Sequence, residues 1–202
     1  MKSGVKKLNI DRDAEGALQD FRQALAIAPD YYEAHYHIAM TYLELGKNEE
    51  AEKNFRKSIE LSEDKYGEGE VGLGAVMLNR GESSQGEKAI RRGLELSPNL
   101  WLGHYELGRA LLNENKIADA QKSAEQARSL APNAPIVYRL LSNIHLKEKD
   151  YPALLLDLDT YIKLDPDSPA GVRAKEIREQ VAQKVRDRAA TGKDVRESEG
   201  TQ

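Results

Sequence analysis

The chain has no cysteine. That excludes disulfide frameworks and thiolate metal sites, and it leaves the compartment open. No apolar run approaches the roughly 20 residues that cross a bilayer. The lysines near Met1 are followed by no apolar stretch, so residues 1–10 do not read as a signal peptide. Net charge is only -4, with both signs interspersed. No basic stripe offers a footprint for nucleic acid, and a broad acidic tail is also missing. The expectation is a cytoplasmic protein that neither inserts into a membrane nor binds nucleic acid. A periplasmic or secreted location follows instead if a signal precedes Met1.

Catalytic constellations are missing as well. The four histidines are His35, His37, His104 and His145. His35 and His37 are two apart, so a helix points them to different faces. No histidine or carboxylate completes a ligand set at helical spacing, and His35, His104 and His145 are expected to pack structurally. Asp157 and Asp159 also diverge on a helix and are expected on solvated faces. No Ser/His/Asp set appears. Gly67-Glu68-Gly69-Glu70-Val71-Gly72 has the spacing of a dinucleotide fingerprint, but a helical unit precedes it where a strand is required. Neither cofactor nor metal is expected, and the chain does not read as an enzyme.

Apolar residues make up 40% and charged residues 32%, a polar balance that suits an extended array better than one rounded core. Self-similarity supports this. Ala24-Leu25-Ala26-Ile27-Ala28-Pro29-Asp30 resembles the segments ending in Pro98-Asn99, Pro132-Asn133 and Pro166-Asp167. Pro98, Pro132 and Pro166 are 34 residues apart, and Pro29 lies 69 before Pro98. The mark missing between them is Ser58 to Asp64, where Glu63 replaces proline. Each period holds two helical faces. In the second period Ala34, His35, Ile38, Ala39 and Tyr42 form one, Gly46 stops it, and Ala51, Phe55, Ser58 and Ile59 form the next. Asn48 and Asp150 are candidate N-caps, and Pro152 falls in the first turn of a helix.

In this register the chain resembles the tetratricopeptide repeat (TPR) family. The second unit places His35, Ile38, Ala39, Tyr42, Ala51, Phe55, Ser58 and Glu63 on the family pattern. The third places Glu70, Leu73, Gly74, Met77, Gly86, Ile90, Gly93 and Pro98. The fourth has His104, Leu107, Gly108, Leu111, Ala120, Ala124, Ala127 and Pro132. The fifth has Tyr138, Leu141, Ser142, His145, Leu154, Leu158, Tyr161 and Pro166. The first keeps Ala17, Phe21, Ala24 and Pro29, and its first helix is short.

The resemblance implies an all-α, right-handed α-α superhelix of about five helix pairs. The units are expected near 1–31, 32–66, 67–100, 101–134 and 135–168. A capping helix is expected over 169–188 and a disordered polar tail over 189–202. Seven of the 15 glycines lie between Gly67 and Gly93. Helical glycine costs about 0.5–1 kcal/mol relative to alanine, so the third unit is expected to be a soft joint. Trp101 either packs at the junction after Pro98 or reaches a partner.

The resemblance also implies a concave groove lined by the first helix of each unit. Carried over, its partner-binding residues are Tyr36, His37 and Met40, then Val71 and Ala75, then Tyr105 and Arg109, then Arg139 and Asn143. The expected partner is a protein or peptide, extended or helical, with an acidic group near Arg109 and Arg139. Tyr36 and Met40 depart from the lysine/asparagine clamp of chaperone-binding members, so that role is not expected. The function implied is an interaction scaffold. The alternative is a non-catalytic TPR region of a larger enzyme or secreted protein. Self-association is left open.

Overall fold

The computed structural model describes residues 1–8 and 13–190. Among the described residues eleven helices follow one another and no strand occurs. They are α1 (Lys2–Lys6), α2 (Ala14–Ile27), α3 (Tyr32–Glu44), α4 (Asn48–Leu61), α5 (Gly67–Asn79), α6 (Ser83–Leu96), α7 (Trp101–Asn113), α8 (Ile117–Leu130), α9 (Pro135–Glu148), α10 (Tyr151–Leu164) and α11 (Pro169–Ala190). Successive helices pack in pairs, each pair packs on the next, and α11 covers α10. The result is a right-handed superhelix of helix pairs. α11 runs to Ala190, two residues past the expected cap. From residue 191 the expected tail lies outside the described residues.

Turn chemistry explains why the pairs repeat. α3, α5, α7 and α9 each end with a residue in the left-handed region: Gly46 (φ 70), Gly81 (φ 83), Asn115 (φ 60) and Lys149 (φ 60). The next N–H then reaches back to a carbonyl five residues earlier. The bonds are Lys47 to Tyr42, Glu82 to Met77, Lys116 to Leu111 and Asp150 to His145, all at 2.8–2.9 Å. This closure satisfies carbonyls that the helix end would leave open. The second helices end differently. Ala28, Ser97, Ala131 and Asp165 are pulled out of helical geometry by the proline that follows each. α4 has no such proline, and it stops at two consecutive left-handed residues, Glu63 (φ 54) and Asp64 (φ 59). Asp150 caps α10, accepting from the Ala153 N–H at 3.1 Å. Asn48 does not cap α4; it is the first helical residue, and Lys47 holds the cap place without a side-chain bond.

Small and large side chains interlock between layers. Ala17, Ala34, Ala39, Ala51, Ala120, Ala124 and Ala127 are fully buried beside Phe21, Phe55, Ile90 and Leu141. Truncating one of these large residues to alanine costs about 2–5 kcal/mol. Trp101 is half-buried and packs on the core that joins the last three units. Gly67 to Gly72 form helix, not a phosphate loop.

The glycines of the third unit lie at close backbone contacts, which argues against the expected soft joint. A Cβ on Gly93 would sit 2.6 Å from the Gly67 carbonyl oxygen, and one on Gly74 would sit 2.8 Å from that of Gly86. α5 and α6 therefore touch through backbone, and α5 is buried from Gly69 to Leu78. Burial of the whole helix outweighs the helix-propensity cost of its glycines. Gly93→Ala is expected to lose about 1–3 kcal/mol in equilibrium urea unfolding, because the clash is with backbone and cannot be relieved by a rotamer change. Native-state hydrogen exchange should find the slowest amides in α5. Opening that begins in α5 and α6 would restore the soft joint.

Candidate functional site

The first helices of the pairs place the expected groove residues as follows. Tyr36, His37 and Met40 on α3 are half-buried. Tyr36 meets Phe55 and Tyr66 edge-on, at ring-centroid distances of 5.8 and 5.3 Å. His37 stacks on Phe21 at 5.3 Å. Burial, helped by nearby Glu68, pushes the Tyr36 hydroxyl up to about 12. Burial also lowers the His37 pKa, so this ring is neutral at pH 7. This end of the concave face is an aromatic wall with Glu33 and Glu68 nearby.

Three expected groove residues are core. Val71 is 0% exposed, Ala75 5% and Tyr105 5%. Val71 reaches toward the positions where Gly93 and Gly103 lack a Cβ, at 2.7 and 3.1 Å. Glycine on both neighbouring helices draws α6 and α7 over α5 and closes its groove face. A repeat pattern carried over position by position does not show this, because it assumes equal helix spacing.

Arg109 is engaged within the chain. Its guanidinium lies 3.0 Å from the Glu106 carboxylate and donates to Asn79 Oδ1 at 2.8 Å. Its charge offsets a carboxylate that burial drives toward the protonated form. Arg139 and Asn143 on α9 are exposed. Among the described residues Arg139 has no ion pair or hydrogen bond, and the same holds for Arg173 on α11. These two cations border one cleft of about 470 Å³ between α9, α10 and α11. Leu146, Leu154, Leu158 and Ile177 give it an apolar floor, and Asn143 and Ser142 add polar groups. Ser142 is 5% exposed, and its hydroxyl has no hydrogen-bond partner among the described residues. Arg173 was missed by sequence reading because it lies in the cap, outside the repeat pattern. The available signal was its place one period after Arg139, on the next helix of that face.

The remaining candidates are structural. His145 Nδ1 lies 2.6 Å from Asp157 Oδ2 in the interior of the last pair. Asp157 is 4% exposed, which corrects its expected solvated position, while Asp159 pairs with Arg178 at 2.9 Å. His104 meets the Pro98 carbonyl at 2.8 Å, and His35 meets Asn54 at 3.2 Å. No group of three metal-ligating side chains occurs among the described residues. No described helix is long and apolar enough to cross a membrane.

The described geometry agrees with sequence comparison. Profiles of the tetratricopeptide repeat match residues 9–57 and 105–169. The chain belongs to the tetratricopeptide repeat family. A thermophilic TPR protein of Thermus thermophilus is 21% identical and superposes with a TM-score of 0.75, over 90% of this chain and 96% of that one. PilF of Pseudomonas aeruginosa is 20% identical with a TM-score of 0.70, over 94% and 85%. YrrB, described as a TPR protein with an unusual peptide-binding site, is 21% identical with a TM-score of 0.56, over 84% and 87%. At these identities the likeness concerns the fold. No curated protein matches the chain significantly.

Buried Glu106 makes stability pH-dependent. Burial raises its pKa above the ordinary 4.5, and Arg109 pulls it part of the way back. The folded state thus holds this proton more tightly than the unfolded state. The stabilisation is complete below the ordinary value and is lost as pH rises through the folded value. Glu70 and Asp157, also raised by burial, add in the same direction. Glu106→Gln is expected to flatten the loss of stability between mildly acidic and neutral pH. Urea midpoints compared across that range check it, and an unchanged slope would contradict it.

Proposed function

We propose that the chain is a non-catalytic scaffold whose concave face holds a peptide, anchored by a carboxylate between Arg139 and Arg173. The observation that carries this reading is the pair of unengaged guanidiniums over an apolar cleft. A guanidinium can grip a carboxylate with two parallel hydrogen bonds. The cleft floor accepts an aliphatic side chain next to that charge, and Asn143 can donate to peptide backbone. Tyr36, His37 and Met40 offer a second contact region at the other end of the array. Aromatic rings and methionine suit apolar side chains there. The description of YrrB as a TPR protein with an unusual peptide-binding site supports peptide binding by this fold. Arg109 contributes no free charge to this site, which moves the expected acidic group toward Arg173.

The test uses a fluorescent panel of short peptides in which an aliphatic residue neighbours Asp or Glu, with Asn or Gln versions as controls. Acidic members should bind, and their neutral counterparts should bind about 10-fold or more weakly, the difference one charge-assisted contact makes. Arg139→Glu should remove that preference and the salt dependence with it. Equal binding of acidic and neutral peptides, or an unaltered preference in Arg139→Glu, rejects the carboxylate anchor.

A further inference from the structure

Arg139 and Arg173 stand apart from the other arginines. Every other arginine whose side chain is described meets a carboxylate or, in the case of Arg22, the Tyr42 hydroxyl. The two without a partner among the described residues lie on different helices and border the same cleft. No carboxylate lines that cleft, so its walls carry two positive charges and no negative one. Among the described residues Glu176, one turn beyond Arg173 on α11, makes no ion pair with it. The remaining polar groups of the wall can donate as well. The Asn143 amide has no partner among the described residues, and the buried Ser142 hydroxyl is likewise unpaired. Tyr161, the other hydroxyl of the lining, is directed to Asp165 Oδ2 at 3.4 Å.

A single carboxylate matches this set only in part. It brings one negative charge and two oxygens, which one guanidinium holds with two parallel bonds. The second guanidinium then keeps an unmatched charge. A phosphorylated serine or threonine brings a charge of about -1.5 to -2 at pH 7 and three strong acceptor oxygens. We propose that the cleft takes a phosphoserine or phosphothreonine of the partner peptide in preference to Asp or Glu at the same position. Arg139 and Arg173 hold the phosphate together, one from α9 and the other from α11, and the Asn143 amide donates to it. Clusters of arginine suit phosphorylated motifs for this reason. Leu146, Leu154, Leu158 and Ile177 take the aliphatic side chain next to the phosphorylated residue, which favours a peptide over the free ion. The inference rests on the peptide reading of this cleft and adds the class of anchor. Phosphorylation of the partner strengthens its capture.

The experiment measures fluorescence anisotropy of one peptide sequence with the full chain. A single position beside leucine carries phosphoserine, glutamate or glutamine. The phosphoserine peptide should bind about 10-fold or more tightly than the glutamate peptide, the difference a second charge-assisted contact makes. Arg173→Gln should abolish that difference. Its glutamate peptide should still bind more tightly than its glutamine peptide, through Arg139, which also shows that the variant is folded. Inorganic phosphate should displace the phosphoserine peptide only at far higher concentration than the unlabelled peptide does. A phosphoserine peptide that binds no more tightly than the glutamate peptide, an advantage unaltered in Arg173→Gln, or inorganic phosphate that competes as well as the peptide overturns the proposal. Failure of the peptide reading itself is seen separately, as equal binding of the glutamate and glutamine peptides to the wild type.

Discussion

The backbone contact between α5 and α6 sets the spacing of everything around it. Gly67 lies against Gly93, and Gly74 against Gly86, each pair close enough that a single methyl group would strike a carbonyl oxygen. Other layers of the array separate their helices with alanine and fill the gaps with phenylalanine, leucine or isoleucine. Here the filler is the neighbouring chain itself. The consequences spread outward from this seam. Val71 and Tyr105 turn from groove lining into core, and α5 disappears from the concave surface. The groove is thereby divided into two ends of different chemistry. One end is aromatic around Tyr36 and His37, with Glu33 and Glu68 nearby. The other is apolar and cationic around Arg139 and Arg173.

Much of this was legible in the residues. The prolines at 98, 132 and 166 mark the period, and each does its work by forcing the preceding residue out of the helix. Glu63 broke the mark without breaking the unit, because two left-handed residues replaced the proline and stopped α4. Ala51, Phe55 and Ala120 sit where a small–large–small pattern demands. What stayed hidden depended on distances between helices. Glycine in α6 read as a propensity penalty, whereas the structure places it where the α5 backbone comes too close for a Cβ. Asp157 read as a surface residue because its partner, His145, lies on another helix. Arg109 read as free for the same reason, since Asn79 belongs to the preceding unit.

The division of labour between repeat and cap follows from geometry. Positions inside a unit are constrained on two sides by neighbouring layers. α11 has a neighbour on one side only, so its other face can vary without disturbing the stack. Arg173 lies at the boundary of these regimes, where the last groove helix, α9, and the cap open onto the same cleft. Ser142 shows the opposite case. A small residue sits there in the cleft wall, and its hydroxyl is buried without a partner among the described residues.

The seam at α5 and α6 has a mechanical consequence. Helices pack about 8–10 Å apart, so a wedge of about 1 Å at this seam tilts one half of the array by roughly 6° relative to the other. Carried over the several layers to α11, that tilt displaces the far end by about 3 Å, the width of a hydrogen bond. The aromatic wall and the arginine cleft are thus kept in register by an arm whose fulcrum is a set of glycine backbone contacts. Mutational drift at the fulcrum would alter how far apart two anchors on one ligand must be, without changing any residue that touches it.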